Sequence, residues 1–149
     1  MRSVWPRFAI VALCGHAFLM AGTDSKITIT STGSTNTEAL EVTLDGSEKA
    51  TIHPQSEGPR EVELKGSAVA DFTKALDAAG ALHALPANHC MKSASFGSRL
   101  FVSRGDDRSP DLSCPEQSDP RTAAIKKQAE DILHAAEKAG GVRRMRRTY

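Results

Sequence analysis

Residues 26–53 read KITITSTGSTNTEALEVTLDGSEKATIH, and this stretch decides the fold. Apolar and polar side chains alternate over residues 26–31, 38–44 and 48–53, and many of these residues are β-branched. A period of two places alternate side chains on opposite faces of a sheet, so each segment is predicted to be a strand. Asp45-Gly46 separates the second segment from the third and is a strong hairpin signal. The stretch therefore predicts an antiparallel sheet.

A helix is predicted directly after this sheet. Glu61–Lys65 alternates once more and is either a fourth strand or a lead-in to the helix. Ser67 is the candidate N-cap, because its hydroxyl can accept a hydrogen bond from an amide of the first turn. Gly80 is placed to end the helix in the left-handed conformation. Helical spacing predicts one buried face, formed by Val69, Phe72, Leu76 and Ala79.

The second half of the chain predicts another strand pair and a terminal helix. Ser93–Arg104 holds the densest apolar cluster and is predicted to be a strand with a bulge at Gly97. Gly105–Arg108 is a turn, and Ser109–Pro115 returns along the sheet. Asp119-Pro120 begins the last helix and Gly140-Gly141 ends it. The buried face of this helix is predicted to comprise Ile125, Ala129, Ile132, Leu133 and Ala136.

The order of these elements predicts the fold class. Strands joined by tight turns favour an α+β fold, with an antiparallel sheet of four to six strands and two helices packed on one face. We expect a single domain over residues 23–141 and a basic flexible tail over residues 142–149. The tail segment Arg143–Arg147 carries four positive charges. It is either solvated or in contact with an anionic surface.

Residues 1–22 predict export. Arg2 and Arg7 precede the apolar run Phe8–Met20, and small residues follow at Ala21 and Gly22. These are the parts of a secretory signal peptide, and the run is too short to span a membrane. Alternatives are an N-terminal helix of the fold and a lipid anchor at Cys14, although Leu13 is not the small residue that acylation favours. The protein is therefore predicted to be periplasmic or extracellular.

Composition narrows the function. Without residues 1–22, the chain has 17 basic and 18 acidic residues, and without the tail arginines its net charge is about −5. A nucleic-acid-binding protein would have a basic face over the whole domain, so we expect no nucleic-acid partner. Four aromatic residues remain in the mature chain, too few to stack sugars or bases: Phe72, Phe96, Phe101 and Tyr149.

The cysteines predict a structural disulfide. Cys90 and Cys114 are the pair that survives removal of the signal peptide, and an even pair in an exported domain is most simply bonded. Metal binding is the alternative, but no second ligand pair with zinc-like spacing is present. We expect no cofactor.

No motif of a known reaction appears, so the sequence predicts a non-catalytic protein. A small hydrolase using His83, His89 and Ser93 is the catalytic alternative. The acidic residues 106–111 could also attract calcium, but they lack the acid spacing and central glycine of a calcium loop. These residues are more simply interpreted as polar loops.

The order of elements over residues 26–139 resembles emfourin, a small bacterial inhibitor of thermolysin-type metalloproteases. That family has paired glycines and an aromatic residue after its first strand, whereas this chain has Thr32–Asn36 with a single glycine. The resemblance implies a protease inhibitor but transfers no inhibitory residue.

The leading prediction is therefore a secreted, non-catalytic binding module whose partner is another protein, with a protease as the candidate partner. The alternative is a structural or accessory protein of the cell envelope. The loop Gly105–Cys114 is the candidate partner-binding segment, because charge, proline and a constraining cysteine are concentrated there. Its candidate contact residues are Asp106, Asp107, Arg108 and Asp111.

Overall fold

The computed structural model describes residues 26–95, 97–114 and 118–144. Within them it has six strands: β1 Ile27–Ser31, β2 Leu40–Leu44, β3 Lys49–Pro54, β4 Arg60–Glu63, β5 Leu100–Arg104 and β6 Asp107–Arg108. They form one sheet of order β4-β3-β2-β1-β5-β6, in which every pair is antiparallel. The two α-helices are α1 Gly66–Ala79 and α2 Pro120–Gly140, and a 3₁₀ helix covers Leu82–Ala84. The α+β prediction is confirmed, while the predicted signal peptide lies outside the described residues.

One face of the sheet packs against both helices. The predicted alternation places Ile29 opposite Val42 on one side and Val102 on the other, and all three are fully buried. Their cluster also contains Phe72 of α1 and Ile132 of α2. Burial of these apolar side chains supplies most of the stabilisation of such a fold. The polar alternate residues occupy the other face, which no helix of the described residues covers.

The predicted hairpin at Asp45-Gly46 is confirmed. Gly46 has a φ of 89°, a backbone conformation that side chains other than glycine rarely adopt. The Asp45 carboxylate accepts a hydrogen bond from the Ser47 amide at 2.9 Å, which tightens the turn between β2 and β3.

Helix α1 buries the predicted face but begins earlier than predicted. Lys65, with φ −67° and ψ 126°, is the N-cap residue. Its carbonyl accepts hydrogen bonds from the amides of Ala68 (2.9 Å) and Val69 (3.3 Å). Ser67 therefore lies exposed within the first turn, and its predicted capping role is wrong. Gly80 ends the helix with a φ of 73°, although its ψ of −133° lies outside the left-handed helical region.

Helix α2 has the predicted caps and the predicted buried face. The Asp119 side chain accepts hydrogen bonds from the amides of Arg121 (2.9 Å) and Thr122 (3.0 Å). The hydrogen bond from the Arg121 guanidinium, followed by those from the Thr122 and Arg121 amides, lowers the pKa of Asp119 to about 2. Gly141 ends the helix in the left-handed conformation, and Val142 donates to the Glu137 carbonyl at 3.0 Å. No helix in the described residues is long and apolar enough to cross the membrane.

The strand predicted over Ser93–Arg104 is shorter in the structure. Sheet pairing begins at Leu100, and residues 93–95 and 97–99 form no strand. The Gly97 amide donates to the Ser93 carbonyl at 2.7 Å. Ser95 accepts from the Asn36 amide at 3.0 Å, in the loop between β1 and β2. Because turn and loop contacts use these groups, the segment does not pair with the sheet.

The first residues of the predicted tail contact the domain. Val142 packs against the hydrophobic core. The Arg144 guanidinium donates to the Glu38 carbonyl at 3.0 Å, to Ser31 Oγ at 2.7 Å and to Glu137 at 3.2 Å. Residues 142–144 thus belong to the folded body, and residues 145–149 lie outside the described part.

Candidate functional site

A disulfide joins Cys90 and Cys114, as predicted. Cys114 is buried, and its carbonyl accepts a hydrogen bond from Lys126 of α2 at 2.9 Å. Cys90 is half-buried in the irregular chain between the 3₁₀ helix and β5. The disulfide therefore fixes that irregular chain to the return segment that follows β6.

The residues around Cys90 form a segment that we call the cysteine-linked segment, residues 87–93. Met91 at its centre is fully exposed, with 102% of its reference surface accessible. It is the one large apolar side chain exposed to this degree in the described residues. Met91 adds no apolar burial to the domain, and its position beside the disulfide places its whole side chain within reach of a partner.

The backbone of His89, Cys90 and Met91 has no hydrogen-bond partner among the described residues, at either the amides or the carbonyls. The segment has no regular secondary structure there. These exposed polar groups are accessible to water or to a partner's backbone.

Lys92 and Asp111 fix the C-terminal side of the segment. The Lys92 ammonium donates to Ser113 Oγ and lies 3.6 Å from the Asp111 carboxylate. Asp111 also accepts hydrogen bonds from the amides of Leu100 (3.2 Å) and Ser113 (3.0 Å), and Arg99 lies 3.9 Å away. Burial of Asp111 opposes ionisation, but these donors and the Lys92 charge outweigh it and lower its pKa. Asp111 is therefore an ionised anchor beneath the segment.

Asp107 serves a second internal connection. Its carboxylate accepts hydrogen bonds from the backbone amides of Leu82 (2.7 Å) and His83 (3.0 Å), and it contacts His83 Nδ1 at 2.7 Å. The Leu82 amide, followed by the two groups of His83, lowers the pKa of Asp107. This carboxylate ties β6 to the 3₁₀ helix.

The other two candidate residues of the loop Gly105–Cys114, Asp106 and Arg108, are exposed. Asp106 forms no hydrogen bond or ion pair with a described residue. The Arg108 guanidinium lies 4.2 Å from the centroid of the Phe101 ring, on the uncovered face of the sheet. The structure thus separates the four predicted contact residues: two support neighbouring segments and two face solvent.

The cysteine-linked segment, which we also call the ridge, lies between two clefts. The larger cleft, about 590 Å³, is bounded opposite the ridge by α2, with Leu133 and Glu137 in its wall. The smaller cleft, about 450 Å³, contains Arg99 and Asp111. Cys90, Lys92, Ser93 and Gly97 border both clefts. Met91 is exposed at the border of the larger cleft, where a partner can reach its side chain.

The hydrolase and metal alternatives lack an assembled site in the described residues. His83 is held by Asp107, whereas His89 and Ser93 form no hydrogen bond with one another. Ser93 Oγ instead accepts from the Ser95 amide at 3.2 Å. The described His, Cys, Asp and Glu side chains form no group of three or more that could hold a metal ion.

No protein-family model, curated protein or solved structure matches this chain. The inhibitor resemblance therefore stays a prediction that rests on the order of elements.

Sequence reasoning did not identify Met91. A single methionine among polar residues has no periodicity that separates a buried from an exposed side chain. The available signal was its position beside a cysteine, flanked by His89, Lys92 and Ser93 and by no other large apolar residue.

Proposed function

We propose that this chain is an exported, non-catalytic binding module that inhibits a peptidase. One observation carries the proposal: a fully exposed Met91 stands on a ridge that a disulfide fixes to the domain. The exposed side chain adds no burial energy to the isolated domain, and its enclosure by a partner would contribute to affinity.

Fixation of the ridge supports inhibition in particular. A partner that binds a constrained segment orders few additional dihedral angles, so more of the contact energy appears as affinity. A constrained segment is also a poor substrate, because cleavage requires a geometry that the disulfide and the Lys92 contacts resist. Tight binding with slow cleavage is the behaviour of an inhibitor.

Export is consistent with the same features. The disulfide persists in oxidising compartments, and residues 1–22 have the organisation of a secretory signal peptide. A peptidase that acts outside the cytoplasm would share that compartment.

The test uses the oxidised mature chain, residues 23–149, against purified exported peptidases. The panel contains thermolysin-type metallopeptidases, because of the resemblance, and serine and cysteine peptidases that select apolar side chains. We expect at least one enzyme to lose peptide hydrolysis in proportion to added protein, with a 1:1 end point and an intact inhibitor chain. Full activity throughout the panel, or rapid degradation of the added chain, would contradict the proposal.

A further inference from the structure

We infer that the cysteine-linked segment binds in the substrate groove of the inhibited peptidase and that Met91 enters its specificity pocket. This inference rests on the proposed function and adds the residue that determines which peptidase is inhibited. The partner is thereby specified by chemistry: its pocket accepts a long, unbranched, apolar side chain.

The side chain of Met91 is fully available to a partner. Its side chain contributes no burial to this domain, so a partner can enclose the whole of it. Methionine is flexible and polarizable, and it fills apolar pockets of varied shape. Full enclosure of one such side chain changes affinity by roughly 10- to 100-fold.

The backbone at residues 89–91 can also bind a partner. A groove that binds an extended chain does so through main-chain hydrogen bonds, while pockets read the side chains. His89, Cys90 and Met91 present amides and carbonyls that no described residue occupies. They can therefore pair with the edge of a partner's groove without breaking a hydrogen bond of the domain.

The neighbours on both sides of Met91 are held in place by the domain. Cys90 is bonded to Cys114, and Lys92 is held by Ser113 and Asp111. Asp111 is thus a positioning residue for the segment. The exposed residue lies between two fixed neighbours, so its presentation needs little ordering on binding.

Charge indicates what surrounds the pocket. The chain has no acidic residue between Asp77 and Asp106, although the body as a whole is acidic. His89 and Arg99 are exposed on this stretch and border the smaller cleft. We therefore expect acidic groups on the partner's rim at that side, because complementary charge favours encounter and register.

Arginine at position 91 is the decisive variant. Trypsin-type peptidases have an aspartate at the base of the specificity pocket and select basic side chains. If the segment binds as substrate does, Met91→Arg should inhibit trypsin, which the wild-type protein should not inhibit. The same variant and Met91→Ala should lose roughly 10- to 100-fold in inhibition of the wild-type target.

The matched control is Ala70→Arg, which adds the same charge on the exposed side of α1. Ala70 and Met91 lie near opposite ends of β1. Ala70 shares a cleft with Gly46 and Ser47, which follow the end of β2 that pairs with the start of β1. The cleft beside Met91 contains Ser31, the last residue of β1. The inhibition constant of Ala70→Arg should stay within about threefold of wild type, and thermal melting of all three variants should match the wild-type curve.

The outcomes separate the two proposals. Wild-type inhibition that neither Met91 variant changes would overturn this inference and leave the proposed function standing. Loss of wild-type inhibition without gain against trypsin would place Met91 in the interface but overturn substrate-like binding. Absence of inhibition by the wild-type protein across the panel would overturn the proposed function, and this inference with it.

Discussion

Removing the disulfide should destabilise the whole domain and not only the ridge. The double variant Cys90→Ala/Cys114→Ala avoids leaving an unpaired thiol. For a sequence separation of 24 residues, the chain-entropy relation gives about 3.5 kcal/mol of stabilisation at 25 °C. Because Cys114 is buried, its truncation adds a smaller loss of packing. For a domain of this size, the melting temperature should fall by roughly 10–15 °C.

Urea denaturation of the oxidised wild type and the double variant measures this difference directly. Wild type kept reduced by a thiol is the control, and its midpoint should approach that of the variant. A loss below about 1 kcal/mol, with the wild-type bond verified by mass, would refute the argument that this bond constrains the unfolded chain.

Three further variants test individual contacts. Asp119 has a pKa of about 2 in the fold against 3.8 for the ordinary side chain, so its ionised form stabilises the fold above about pH 4, and this contribution is lost as the pH falls toward 2. Thermal melting from pH 5 to 2 should therefore show the wild type losing its stability advantage over Asp119→Asn. Equal slopes of melting temperature against pH would contradict this. Arg144→Ala should lower the free energy of unfolding by roughly 1–3 kcal/mol through lost charged hydrogen bonds, whereas Arg143→Ala at the exposed neighbour should not; equal urea midpoints would place Arg144 outside the folded body. Gly97→Ala would place a methyl group against the Ser93 carbonyl oxygen, so it should displace the ridge and weaken inhibition. An unchanged inhibition constant would show that this close approach is dispensable.

The sheet and the helices were predictable because their patterns are local. Alternation in β1 to β3 and the Asp45-Gly46 turn determine strands that pair with their neighbours in sequence. The apolar spacing in α1 and α2 gave their buried faces directly. The N-cap of α1 was missed because Lys65 caps with its backbone conformation and not with a side chain.

Contacts between segments distant in sequence could not be predicted from local sequence patterns. The docking of Arg144 on Ser31 and Glu38 joins residues more than 100 positions apart, and no periodicity encodes it. The same holds for the loop that contains Asp111. Sequence indicated that its charges would bind a partner, whereas the structure places Asp111 beneath Lys92 as an internal anchor. The candidate site is therefore the cysteine-linked segment, which the charged loop Gly105–Cys114 supports.

Hydrogen exchange of the mature protein, alone and with the inhibited peptidase, measures whether residues 89–91 lie in the interface. The amides of His89, Cys90 and Met91 have no acceptor among the described residues, so in the free protein they should exchange rapidly. The account predicts strong protection of these amides in the complex, with little change on the uncovered face of the sheet. Protection confined to the sheet face or to α2, with rapid exchange retained at residues 89–91, would contradict it.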